Sequence, residues 1–355
     1  MRVVFAAGFA AVYLLLLGAA PAPSAVDAAR LMQATPAPTL AAYRLFTDAG
    51  GRAPNAGLVP YALNTPLFSD YAEKQRYLYL PSGKQAGYRA QGVLDLPVGA
   101  VLVKTFAYPA DFRRPKDSVR FIETRLLIHR ASGWTPLTYV WNAAQTEAVL
   151  KRAGARTNVA FTDDKGEAVR FSYAVPNVNQ CKECHALSGA IQPIGPKARN
   201  LNGDYAYVGG SENQLAHWTR LGLLKGAPAP AAAPVTARWD DASAPLQARA
   251  LAYLDGNCGH CHNPKGAASN SGLYLEYERN QSVARGMGKR PVAAGKASAD
   301  LDFDIAPGDP ESSIMVHRMR SREPGVMMPE LGRALPHAEG VALIEAYIKS
   351  MPAQP

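Results

Sequence analysis

The sequence predicts a multidomain β + α chain, with an antiparallel β-rich, sandwich-like N-terminal domain followed by mainly α-helical segments. Three observations lead there. Between residues 58 and 175, short β-rich runs alternate with turn residues and no helical pattern intervenes. Toward the C-terminus the apolar spacing becomes helical, as in Leu246, Ala250, Leu251 and Leu254. The four cysteines of the 355-residue chain form two pairs, each followed at once by a histidine: Cys181-Lys182-Glu183-Cys184-His185 and Cys258-Gly259-His260-Cys261-His262.

Residues 1–25 read as an export signal: Arg2, an apolar run from Val3 to Ala20 centred on Leu14 to Leu17, then small residues. The run is also about long enough for an uncleaved membrane anchor. Residues 26–57, rich in alanine and proline, read as a loosely held arm with a short helix around Leu40 to Phe46. Within 58–175, Arg76 to Leu80 and Ala100 to Phe106 are strands. Val119 to Arg130 and Leu137 to Trp141 form a hairpin across Ala131-Ser132-Gly133, with Tyr139 and Trp141 on one face. Asn158 to Phe161 and Ala168 to Tyr173 flank a second turn, Asp163-Asp164-Lys165-Gly166.

Residues 176–225 carry the first motif, approached by what reads as a strand and a turn, Phe171 to Pro176. A helix is expected near Glu212 to Leu224, with Leu215, Trp218 and Leu221 on one side. Residues 226–238, with Ala-Pro-Ala-Pro-Ala-Ala-Ala-Pro, read as a semi-rigid linker. Residues 239–355 hold the second motif between two helices, Ala244 to Asp255 and Glu339 to Ser350, with a short helix at Ser312 to Met319.

On one helical turn, positions i, i+3 and i+4 share a face. Cys-x-x-Cys-His on such a turn attaches a c-type haem, the cysteines through thioethers and the histidine to the iron. Two covalent haems would use all four thiols through Cys181, Cys184, Cys258 and Cys261, with His185 and His262 as iron ligands. A shared zinc site or two dithiol centres are the competing readings, and neither needs the trailing histidines. A sixth ligand sets the potential and separates electron transfer from catalysis. For the second haem it is expected to be Met328, before Pro329 on the loop ahead of the last helix, with Met327, Met315 and Met319 as rivals. No methionine lies between Met32 and Met287, so for the first haem His217 is the candidate and His129 its rival. His260 reads as a surface residue, and His317 and His337 as surface or supporting groups. Asp302 and Asp304 make only a weak cation pattern.

The chain resembles a family of exported di-haem c-type cytochromes with an N-terminal β-rich region. The residues that carry the likeness are Leu63-Asn64-Thr65-Pro66-Leu67-Phe68-Ser69-Asp70-Tyr71, Pro97 to Phe106, Glu123 to Leu127, Tyr139-Val140-Trp141-Asn142 and the two motifs. Ser271-Gly272-Leu273 and Pro307-Gly308-Asp309-Pro310 are similar to cytochrome c modules of larger bacterial proteins. The resemblance implies haem binding, a C-terminal cytochrome c-type domain and periplasmic electron transfer.

The formal charge of +9 falls to about +4 once Arg2 and four haem propionates are counted, a mild excess suited to steering toward an acidic redox partner or a membrane surface. No nucleic-acid motif or basic block is present. The expected function is periplasmic electron transfer between redox partners. The alternatives are a di-haem peroxidase or oxidase with an open first haem, or a binding module built on the β domain.

Overall fold

The computed structural model describes residues 25–279, 281–292 and 295–353. The expected export segment lies almost wholly outside them. About 26% of the chain is strand and 21% helix. No described helix is long and apolar enough to cross a membrane.

The centre of the N-terminal region is one six-stranded antiparallel sheet. Its strands, in spatial order, are β1 (Leu58–Pro60), β2 (Glu73–Tyr79), β3 (Val101–Tyr108), β4 (Arg120–Arg130), β5 (Gly133–Trp141) and β6 (Ala148–Leu150). The β4–β5 hairpin turns through Ala131 and Ser132, with Gly133 at φ +107° in a conformation that suits glycine. Strand alternation sends Tyr77, Val101, Val103, Leu126, Tyr139 and Trp141 to one core and Leu78, Leu102 and Leu127 to another.

The first core is closed by residues 26–57, which are not a loose arm. Leu31, Leu40, Tyr43 and Leu45 are buried in it, and the Tyr139 hydroxyl donates to that of Tyr43 at 3.0 Å. Arg130 donates to the carbonyl of Leu31 at 3.2 Å. Four large side chains anchor this stretch among alanines and prolines, so its average composition hides them.

The second core is closed by the segment that carries the first motif. It contains α1 (Val178–His185), α2 (Ala198–Leu201) and α3 (Gln214–Arg220), and Leu201, Leu215 and Trp218 pack on the sheet. A separate hairpin, β7 (Ala155–Thr162) with β8 (Ala168–Val175), packs against Phe106, Tyr108 and Ile122. The second layer is thus helices, loops and one hairpin, not the second full sheet of a sandwich. The stretch read as a linker is laced to this layer: Thr236 N–H donates to the Arg199 carbonyl at 2.9 Å, and Asn202 Nδ2 to that of Pro230 at 2.9 Å.

Among its described residues the C-terminal region has three α-helices, α4 (Leu246–Asn257), α5 (Ile314–Arg320) and α6 (Ala338–Lys349). Their core includes Tyr253, Leu254, Val316, Ile344 and Tyr347. It is not mainly helical. The described residues between 258 and 313 run as turns and loops with only short 3₁₀ segments, and glycines such as Gly272 and Gly286 at positive φ break any helical run. The first and last helices do pack together, and Gly340 is required there: a methyl group at 340 would overlap the Tyr253 hydroxyl.

Two devices lock the C-terminal region to the rest. Arg199 and Asp255, both nearly fully buried, pair at 2.8 Å, and Lys197 joins them at 3.2 Å. The strap from Asn64 to Tyr71 bonds both regions. Thr65 N–H donates to Asn200 Oδ1, Phe68 N–H to Asn257 Oδ1, and Asp70 accepts from Ala334 and Leu335.

Candidate functional site

The two Cys-x-x-Cys-His segments, far apart in the chain, meet. The first lies on α1, which starts only three residues before Cys181. Asn177 caps it, accepting from Gln180 N–H at 2.9 Å while Gln180 Oε1 accepts from Asn177 N–H. The strand-and-turn approach therefore holds, and the helix begins at the turn. The second motif begins as α4 ends, with Cys258 as its C-cap. A Cβ at Gly259 would come within 3.1 Å of the carbonyls of Asp255 and Leu275, so this motif position is a tight fit for any larger residue. The loops after the motifs are joined by Ser188 N–H donating to Lys265 O at 3.0 Å.

At the meeting point Cys184, His260 and Cys261 bring their ligand atoms within 4.8 Å of one another. His260 is half-buried there and not the surface residue the motif suggests. Its Nδ1 is buried without a partner. The Cys261 thiol beside it, together with His260, holds Cys184 well below the usual thiol range, and Cys261 is raised in turn. All four cysteines are free thiols. Lys182 and Glu183 are exposed, as polar residues inside a motif should be.

Both motif histidines have their Nδ1 occupied. His185 Nδ1–H donates to the Gln192 carbonyl at 2.8 Å. His262 Nδ1 lies 3.3 Å from Ser271 Oγ, whose own proton goes to the Ala268 carbonyl at 2.7 Å. The proton on each ring is thus on Nδ1, and Nε2 is left as the lone-pair donor that a metal needs. Burial pushes both rings down to about 4, so both are neutral at pH 7.

Two adjoining cavities flank the motifs. The second, about 410 Å³, is lined by Cys258, Cys261, His262, Leu273, Met315 and Met328, among others. It falls within the ~300–1,000 Å³ range of small-molecule sites. The first, about 210 Å³, carries Cys181, Cys184 and His185 and is covered by the sheet; it is smaller than that range, so a large occupant extends beyond it. Met328 lines both cavities and Met327 neither. The loop is held at Met328: its N–H donates to Arg318 O at 2.9 Å and its carbonyl accepts from Arg333 at 2.8 Å. Met319 also lines both, and Met315 the second.

His217 is not brought to the first motif and lines neither cavity. Its Nδ1 is 2.6 Å from Glu212 Oε2, and its ring stacks on Tyr207 at 3.5 Å. The expectation that it faces the first motif fails because α3 turns that side toward the hairpin Asp204–Asn213. His129 is held by Leu96 O at 2.8 Å and stacked on Trp134. His337, by contrast, is buried, stacks on Phe68 at 4.2 Å and lines the first cavity. Asp302 and Asp304 are spent in ion pairs with Arg290 and Lys289.

One feature of the first cavity lies in none of the motifs. Arg76, Lys104 and Arg125 lie directly opposite one another on β2, β3 and β4, with Thr138 next in the row on β5, and all four line the cavity. Directly opposite residues have Cβ atoms about 5 Å apart, so these long cationic side chains are held close enough to repel one another. Burial, with Arg125 and Arg76 alongside, pushes Lys104 down to about 7. The signal was in Arg76-x-Leu78, Leu102-x-Lys104 and Arg125-x-Leu127: a cation sharing a face with a core residue in each of three strands.

No protein-family description, curated protein or solved structure matches the chain.

Proposed function

We propose that the protein is an exported di-haem c-type cytochrome that passes single electrons between redox partners in the periplasm. The observation that carries the reading is the pairing of two Cys-x-x-Cys-His segments, each beside a cavity, each with its histidine Nδ1 engaged so that Nε2 is the free donor. That donor set fits haem: two free thiols and one neutral imidazole per site. Haem would supply reversible one-electron chemistry at iron. Cys181 and Cys184, and Cys258 and Cys261, would hold the two groups covalently. His185 and His262 would be the proximal ligands. Met328 is the best-placed thioether for the second site, on a loop pinned by Arg318 and Arg333. Leu273, Leu275 and Ile314 line the second cavity, and apolar groups beside a haem favour a raised potential. Covalent haem is attached outside the cytoplasm, so this reading and the apolar N-terminal run agree on export.

The meeting of Cys184 and Cys261 brings the two attachment sites together, a short route between centres. The residual positive charge suits an acidic partner. The runner-up, a peroxidase or oxidase with an open first haem, draws support from the displacement of His217 and His129 from the first cavity. A non-haem metal on Cys184, His260 and Cys261 is favoured by their spacing and excludes the thioethers, since it takes one thiol from each motif.

Full-length protein made with the haem-attachment machinery decides among these. Two covalent haems by mass, low-spin spectra and indifference to carbon monoxide are expected. One haem that binds carbon monoxide and turns over peroxide selects the enzyme. No added mass, with zinc by metal analysis, overturns the haem reading.

A further inference from the structure

The row Arg76–Lys104–Arg125 poses an electrostatic problem that the protein's described residues do not solve. On this face of the sheet the next row reads Lys74, Phe106, Glu123 and Val140, and Glu123 is the sole carboxylate in the two rows. It is already used. Arg125 Nε donates to Glu123 Oε2 at 2.9 Å and its Nη2 to Oε1 at 2.5 Å, while the Tyr173 hydroxyl donates to Oε1 at 2.6 Å. Arg76 and Lys104 are left with no carboxylate at ion-pair distance among the described residues. Lys74, Lys104 and Arg125 all crowd the Phe106 ring, at 5.9, 4.9 and 4.3 Å from its centroid. That arrangement softens the charge without neutralising it. Beyond the row the lining turns apolar, with Leu102, Leu127 and Pro136. Arg76, whose Nη1 donates among the described residues only to the Lys74 carbonyl at 3.2 Å, and Lys104, whose ammonium form a bound anion would favour, stand on the cavity wall beside apolar residues and have the chemistry of an anion site.

We propose that the Arg76–Lys104–Arg125 row is a carboxylate-binding site built into the sheet, and that its ligand sits in the cavity of the first motif. The carboxylate has two possible sources: the propionates of a haem held by Cys181 and Cys184, or a free small carboxylate admitted to that cavity. The first source rests on the haem reading, whereas the anion site itself does not. The sheet would then be a wall of the cofactor site and not a separate binding module.

The test compares wild type with Lys104→Met and Arg76→Gln, as full-length matured protein, by mass and by spectroelectrochemistry with and without acetate at fixed ionic strength. If haem propionates fill the row, all three proteins carry two haems without acetate dependence. The variants then disfavour the reduced form of one haem by about tenfold, a negative shift of about 59 mV for one electron, because a cation near iron is lost. Loss of only the first haem, with the fold intact by circular dichroism, supports the same source. If a free carboxylate fills it, acetate shifts one wild-type potential saturably, and the variants need at least tenfold more. Two haems with both redox equilibria within twofold of wild type, about 18 mV for one electron, and no acetate response overturn the proposal. Should wild type carry no haem, the haem reading fails separately. The row is then judged on melting: acetate must stabilise wild type over chloride and leave Lys104→Met unmoved, and equal responses overturn it. Circular dichroism of each variant separates a fold defect from a lost site, since Arg76→Gln also gives up the bond to the Lys74 carbonyl.

Discussion

The cavities beside the two motifs are built by opposite means. The second is assembled mostly from helix ends and loops around α4 to α6, joined by Glu183 and Cys184 of the first motif, and its wall is rich in sulfur and apolar groups, Leu273, Leu275, Met315, Met319 and Met328, beside Asp304, Arg318 and Glu330. The first is a joint construction. Its motif comes from a short capped helix, its cover from four strands of a sheet, and its charged row from residues dozens of positions upstream. A ligand in the second meets three methionine side chains and charges of both signs. A ligand in the first meets fixed positive charge. If both hold iron, the thioether shell favours the reduced state in one, while in the other the field of the row is the tuning device.

The largest effect is expected from removing one site at a time. Cys181→Ser with Cys184→Ser is expected to abolish covalent haem at the first site and leave the second, halving the Soret band and lowering the mass by one porphyrin. Cys258→Ser with Cys261→Ser should do the reverse. If either pair removes both haems, the cavities do not mature independently.

Next in size is the joint itself. Arg199 and Asp255 are 3% and 4% exposed, so Arg199→Ala leaves a buried carboxylate without its main partner. The expected cost is about 3–5 kcal/mol, read as a lower urea midpoint. The same pair sets a pH dependence. Burial opposes ionisation of Asp255, but Lys197 and Arg199 outweigh it and hold its acidity constant below the usual value. A carboxylate depressed in the folded state adds stability above its unfolded value, about 3.9. That stability is lost as the pH falls through the folded value. Stability should therefore drop below about pH 4 in wild type, and Asp255→Asn should flatten that drop.

Much of this difference was legible in the sequence for the second cavity and little for the first, and the reason is range. Leu246 to Leu254, Cys258 to His262 and Leu343 to Ile348 are local signals, and α4, the motif and α6 fall within about two residues of where spacing puts them. The β4–β5 hairpin was equally local. The row of Arg76, Lys104 and Arg125 exists only once three strands are in register, and register across long connections is not written in any one strand. The contact of Cys184 with Cys261 depends on the Asn64–Tyr71 strap and the Arg199–Asp255 pair. Each residue in them looks like an ordinary polar loop residue until its partner is known. The packing of residues 26–57 was hidden by averaging over alanine and proline.

Met328→Leu sharpens the contrast further. Because Met328 lines both cavities, the substitution asks which one its sulfur serves. The expected result is a change in one centre only: loss of a low-spin spectrum and a potential lower by of the order of 100 mV, within the ~0.8 V span that axial ligands cover. A change in the centre that Cys181→Ser with Cys184→Ser removes would assign the sulfur to the first site.

The smallest expected effect is the most pointed. His217 was the histidine that chain position favoured for the first iron, and the fold gives it a different occupation. Glu212 accepts from Arg220 Nη2 and lies 2.6 Å from His217 Nδ1, and Tyr207 covers the ring face. Arg220 first and His217 second hold the Glu212 carboxyl down to about 2, the signature of a satisfied surface cluster. His217→Ala should therefore leave both optical spectra and both potentials unchanged while slightly loosening the hairpin from Asp204 to Asn213, seen as faster amide exchange there. A low-spin to high-spin conversion of one haem in that variant would mean that the segment rearranges when haem is attached. The first cavity would then be completed by the helix that here faces away from it.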